Sequence, residues 1–195
     1  MADTLTTSFS LQAPAITDLW RKPPSTDTFK FSSKTITTTV RSLKSIRVTV
    51  RANWTRLYDQ GGIVILGPKE SSGSPRWWIK AGVELYDGTP KVSSVATAPG
   101  TYSWSDWSIA PGLVRADGSA TFELAVVPEH DSALWFYVVK DDGTKVGLRE
   151  VTWWKALDPD EKIEVGGLVA RPTEGSEEPQ DLHVTFEDVS LLTHG

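Results

Sequence analysis

Apolar residues recur at every second position along most of this chain, and that period decides what kind of element it can build. In "IRVTVRA" (46–52), Ile46, Val48 and Val50 alternate with Arg47, Thr49 and Arg51, the pattern of a strand with one buried face. "GGIVILG" (61–67) is a short apolar run closed by glycines. "TFELAVV" (121–127), "ALWFYVVK" (133–140), "KVGLREVTWW" (145–154), "KIEVGGLVARP" (162–172) and "DLHVTFEDVSLL" (181–192) continue the series. Asp87-Gly88 predicts a tight reversal between "RWWIKAGVEL" (76–85) and its return strand "KVSSVATA" (91–98). "PEHDS" (128–132) and "DDGT" (141–144) read as further hairpin loops. No stretch of about 11 residues or more carries a 3.6-residue apolar period, and "ALDPDEK" (156–162) offers one helical turn at most. About a dozen short strands separated by Gly, Pro and Asp turns specify an all-β sandwich or barrel. With no break in composition, residues 1–195 read as one domain, with "RPTEGSEEPQD" (171–181) as an acidic loop inside it.

The segment "RWWIKAGVELYDG" (76–88) is the one that points to a site. Trp77, Ile79, Ala81, Val83 and Leu85 make a core face. The opposite face carries Trp78, Lys80 and Glu84. A solvated strand face would account for the Lys–Glu pair, but a large apolar ring in water is costly. An aromatic face with a few embedded polar groups is the usual lining of a ligand site. Other candidates are Tyr58 and Gln60, which share a face if "YDQ" is extended, together with Ser94, Tyr137 and Trp153 on later strands. Asp59 between Tyr58 and Gln60 suits turn amides instead. Trp107 in "SDWS" serves either core packing or a stacking platform. Arg149 in "REVTWW" is an always-charged donor fork, suited to a carbonyl or carboxylate, or to an ion pair with a neighbouring strand such as one carrying Glu84. The nine tryptophans are more than one core readily uses, since adjacent ones on a strand face opposite ways.

Several functions are excluded or disfavoured. The net charge of -5 and pI near 5.2, with no Lys/Arg run, argue against nucleic acid and anionic membranes. No apolar run approaches the roughly 20 residues that span a bilayer. "MADTLTTSFSLQAPA" lacks the basic and apolar regions of a secretory signal, so a cytoplasmic location is the expectation. There is no cysteine, no G-x-S-x-G, no glycine-rich phosphate loop, and His130, His183 and His194 have no zinc-ligand spacing. No cofactor or metal is implied.

Taken in order, "YDQGGIVI" (58–65), "WWIKAGVE" (77–84), "VSSVATA" (92–98), "SDWS" (105–108), "REVTWW" (149–154), "VARP" (169–172) and "DLHVTFEDV" (181–189) resemble a fungal and bacterial family named for a yeast regulator of enolase. The likeness covers residues 30–192. It implies a concanavalin A-like jelly-roll sandwich of two antiparallel sheets, one concave, with ligands on the concave face. Glucanases of that fold carry closely spaced carboxylates in a Glu-x-Asp-x-x-Glu pattern, whereas the strand at 76–85 has Glu84 alone, so glycoside hydrolysis ranks low. Lectins of that fold often bind calcium, but no compact Asp/Asn cluster appears here.

Two readings follow. In the first, Lys80, Glu84 and Arg149 are catalytic groups of a cofactor-independent cyclase, isomerase or pericyclase, a Diels–Alderase-like enzyme acting on a small organic molecule. In the second, the same face is a lectin-like sugar site in a binding or regulatory protein of central carbohydrate metabolism. The tryptophan content favours the first. A homodimer stays open.

Overall fold

A computed structural model describes residues 4–100, 103–130, 132–175 and 180–194. Its strands are β1 (Thr4–Ala13), β2 (Asp18–Lys22), β3 (Thr26–Lys30), β4 (Ser32–Thr39), β5 (Leu43–Ala52), β6 (Gln60–Leu66), β7 (Trp78–Tyr86), β8 (Thr89–Thr97), β9 (Asp106–Ala110), β10 (Ser119–Val127), β11 (Ala133–Val139), β12 (Lys145–Val151), β13 (Lys162–Ala170) and β14 (Leu182–Thr193). They form two six-stranded antiparallel sheets. The back sheet runs β1-β14-β5-β10-β11-β12 and the front sheet runs β4-β13-β6-β7-β8-β9, while β2 and β3 make a separate hairpin. The fold is a sandwich, as the strand periods predict.

The core lies between the sheets and follows from the alternation. Ile46, Val48 and Val50 of β5, Phe122 and Leu124 of β10, and Leu134, Phe136 and Val138 of β11 face Ile63 and Ile65 of β6, and Ile79, Ala81 and Val83 of β7. Trp77 is fully buried at one end. Trp153 and Trp154 meet it edge-on, with ring centroids 5.5 and 5.9 Å away. The predicted strand 145–154 therefore ends at Val151. The next residues form a 3-10 helix, Thr152–Ala156, whose tighter turn lets both rings reach Trp77. A second 3-10 helix, Pro128–His130, replaces part of the loop expected at 128–132, of which Asp131 lies outside the described residues. So do residues 176–179 of the acidic loop expected at 171–181.

Two local features order the segments around β6 and β7. Asp87 and Gly88 have φ of 53° and 70°, the two positive values that a two-residue reversal between twisted strands requires. Asp59 is fully buried. Its two carboxylate oxygens accept Nε–H and NH2 of Arg171, each at 2.8 Å. Asp59 Oδ2 also accepts the backbone N–H groups of Thr55 and Arg56 at 3.0 and 2.9 Å. The bidentate pair ties the turn before β6 to the end of β13, so Asp59 does satisfy turn amides.

Candidate functional site

The outer face of the front sheet is partly covered by the β2–β3 hairpin. Leu19 is buried against Val64, Leu66, Trp78, Val95 and Leu168, with Trp20, Phe29, Phe31 and Trp107 packed on that cluster. Arg21 pins the same hairpin: its guanidinium donates to the carbonyls of Pro75 and Arg76 at 2.8 and 3.2 Å, and to Asp27 at 3.1 Å. Beside the hairpin, Asp18, Trp20, Tyr58, Gln60, Lys80, Glu84 and Trp107 line a cavity of about 250 Å³.

Lys80 and Glu84 reach this cavity because β7 turns alternate residues outward. Lys80 Nζ donates to the Leu19 carbonyl at 2.9 Å and to Gln60 Oε1 at 2.5 Å. Its nearest carboxylate, Asp18 Oδ1, is 3.7 Å away. The ammonium lies 5.7 Å from the Trp78 ring and 5.9 Å from the Trp20 ring. Burial pulls the Lys80 pKa below the usual lysine range, against the opposing pull of Asp18 and Glu84. The amide of Gln60 is fixed by its donors: Nε2 donates to Asp18 Oδ1 at 3.1 Å and to the Tyr58 carbonyl at 3.3 Å. Glu84 Oε2 accepts the Ser93 hydroxyl at 2.6 Å and the Trp107 indole N–H at 3.0 Å. Among the described residues nothing hydrogen-bonds Glu84 Oε1.

The aromatic wall is continuous. Trp20 meets Trp107 edge-on at 6.4 Å, Trp107 meets Tyr86 at 5.2 Å, and Tyr86 stacks on Tyr58 at 6.0 Å. Tyr58 is held with φ of 65°, a conformation uncommon outside glycine. Between Lys80 and Glu84, beside the cavity lining, this face of β7 carries only Gly82. Gly62 and Gly82 face each other across β6 and β7. A Cβ on Gly82 would stand 2.1 Å from the Gly61 carbonyl oxygen, and one on Gly62 would stand 2.1 Å from that of Ala81.

Of the residues singled out from the sequence, the structure brings Tyr58, Gln60, Lys80, Glu84 and Trp107 together at this cavity. Five others lie elsewhere. Trp78 is buried under the hairpin and walls the Lys80 ammonium from below, outside the cavity lining. Ser94 pairs with Ala81 and turns toward the back sheet, where its hydroxyl accepts Arg149 Nε at 3.1 Å. Arg149 itself shares the inward face of β12 with Val151. It donates to Asp106 at 2.6 Å and to Ser108 at 3.0 Å, bridging the two sheets at their rim; its ion pair is with Asp106, and Glu84 is not its partner. Tyr137 lies on the outer face of the back sheet, stacked on Trp135 at 5.9 Å. Trp153 closes the core end. Asp18 and Trp20 were missed by the sequence reading. The only signal for them is a weak one, the alternation of Leu19 and Arg21 with Trp20 and Lys22. Among the described residues no group of three or more His, Asp or Glu side chains is placed to hold a metal ion.

Comparison with known proteins gives a family and a fold. A family model with the description "Protein of unknown function (DUF1349)" matches residues 2–193. A protein of Emericella nidulans, described as uncharacterized, is 35% identical over 189 residues, covering 97% of this chain and 88% of that protein. Neither description carries the enolase-regulator name. Among solved structures, an alginate lyase of Pseudomonas aeruginosa superposes with a TM-score of 0.59 at 13% identity, over 95% of this chain and 82% of that one. A Bauhinia forficata lectin in complex with GalNAc gives 0.54 at 10% identity, over 100% and 99%. A GH43 protein of Bacillus licheniformis gives 0.58 at 14% identity, over 96% of this chain and 33% of that one, so this chain spans about a third of it. These likenesses show the concanavalin A-like sandwich.

Proposed function

We propose that this chain, which belongs to the DUF1349 family of unknown function, binds one sugar-sized ring in the cleft between β7 and the β2–β3 hairpin. The observation that carries the reading is the division of the cavity into an aromatic wall and a polar row. Trp20, Trp107 and Tyr58 offer ring faces and edges, while Gln60, Lys80 and Glu84 offer polar atoms. A sugar has the matching division, with C–H groups on its faces and hydroxyls on its edge. Glu84 Oε1 is an acceptor with no partner among the described residues, ready for a hydroxyl. The volume of about 250 Å³ is below the ~300–1,000 Å³ of drug-sized sites, which suits a single ring. Lys80 offsets part of the Asp18 and Glu84 charge, which suits a neutral ligand. That a lectin bound to GalNAc shares the fold supports the reading by analogy alone. Regulation of carbohydrate metabolism would be one use of such a site.

Titration of tryptophan fluorescence with a panel of methyl glycosides tests this. Saturable binding that Trp107→Ala abolishes is the expected result. Failure of the whole panel, or unchanged binding by Trp107→Ala, would remove the proposal. The second reading is a cofactor-independent cyclase or isomerase. It is favoured by the placement of a buried ammonium and a carboxylate on one cavity wall, and it stands without Arg149, which lies outside the cleft.

A further inference from the structure

The geometry points to a covalent role for Lys80: its Nζ condenses reversibly with the aldehyde carbon of a small polyhydroxy aldehyde, such as an open-chain short sugar. This rests on the cleft being a ligand site for sugar-like molecules and goes beyond simple binding.

Arg21, Lys80 and Arg171 are the buried cations of the described residues. Arg171 is hydrogen-bonded to both oxygens of Asp59 at 2.8 Å, and Arg21 to Asp27 at 3.1 Å. Each has a carboxylate within hydrogen-bond distance, as a buried structural cation favours. The ion pair of Lys80 with Asp18 is longer. The atoms that accept its N–H groups are neutral, the Leu19 carbonyl and Gln60 Oε1, and Asp18 is held beyond hydrogen-bond distance at 3.7 Å. Neutral acceptors serve a neutral amine as well as an ammonium. Lysine can lose its proton, whereas arginine cannot, and burial already moves Lys80 in that direction. A lysine desolvated in this way is the usual nucleophile for carbonyl groups.

The rest of the cavity supplies what the step needs. The ammonium first gives up a proton, for which Asp18 Oδ1 at 3.7 Å is the nearest carboxylate acceptor. The freed nitrogen lone pair forms the C–N bond as the C=O π pair moves to oxygen, which is protonated. The nitrogen passes one of its two protons to that hydroxyl, which leaves as water while the nitrogen lone pair forms the C=N bond of an iminium ion. Ammonium and aldehyde thus become iminium and water, with no net proton change and no redox partner. The product carries its positive charge where the ammonium was, against the Trp20 and Trp78 rings and near Asp18. A site built to hold one cation there also holds the other. The cavity of about 250 Å³ that Lys80 lines leaves room for the incoming carbon.

The test is to incubate the native protein with D-glyceraldehyde and cyanoborohydride at neutral pH and map the reduced adducts by peptide mass. The expected result is a dominant adduct on Lys80, ahead of exposed lysines such as Lys22 and Lys69, and its loss in Lys80→Arg, which keeps the cation. Slower labelling in Asp18→Asn supports the proton route. Adducts spread over exposed lysines with Lys80 unmodified would overturn the inference, and because that mapping uses the wild-type protein, it does not depend on any variant folding. Methyl glycosides have no free carbonyl, so their binding reads the sugar-site proposal separately. Glycoside binding without Lys80 labelling overturns the covalent step alone. Labelling without glycoside binding supports the step and removes the sugar site.

Discussion

Replacing Asp59 by Asn keeps the shape of a fully buried side chain and removes its charge. Arg171 would then be a guanidinium with a 4% exposed side chain and no counter-charge. The amide NH2 of Asn would also face donors on every side: Nε and NH2 of Arg171, and the N–H groups of Thr55 and Arg56. Removing one partner of a buried pair costs about 3–5 kcal/mol, a large part of the roughly 5–15 kcal/mol that holds a typical protein together. With an m-value of about 2 kcal/mol/M, the urea midpoint should fall by about 1.5–2.5 M, read by tryptophan fluorescence. Adding Arg171→Met to Asp59→Asn should recover part of the loss, because the unpaired cation is removed. A loss below about 1 kcal/mol, the size of an exposed pair, would refute the reasoning. So would a double variant no more stable than Asp59→Asn alone.

Gly82→Ala should destabilise by about 1–3 kcal/mol or more in the same urea assay, since its Cβ would stand 2.1 Å from the Gly61 carbonyl oxygen; a neutral result would mean that β6 and β7 are further apart than described. Arg149→Met should cost about 1 kcal/mol for a pair whose Asp106 side chain is 75% exposed. Glycoside affinity should be unchanged in that variant, and a fall matching Trp107→Ala would return Arg149 to the site.

The sheet faces were legible in the sequence because a period of two leaves no choice of side: once Ile79 and Val83 are core, Lys80 and Glu84 point the other way. What covers the outward face was not legible. β2 turns an arginine inward beside Leu19, and that breaks the apolar pattern by which strands are found. Arg21 tolerates the position through the Pro75 and Arg76 carbonyls, partners more than fifty residues away in sequence. The fate of Arg149 was half legible. Its face follows from sharing alternation with Val151, but its partners depend on how the rim of one sheet lies over the other, and no local spacing encodes that. Trp153 and Trp154 misled because an adjacent pair implies opposite faces only while the chain stays extended. A 3-10 turn brings both to one side.

The place of β14 in the back sheet bears on how the chain is made. This strand lies between β1 and β5, with Phe9 opposite Phe186 on one side and Val50 opposite Phe186 on the other. During synthesis β1 emerges before β14 and lacks its sheet partner until Leu182–Thr193 has left the ribosome. Until then β5 also carries a bare edge, the kind of surface on which strands from other chains add. A nascent or truncated chain that stops before Leu182 therefore exposes the edges of both β1 and β5.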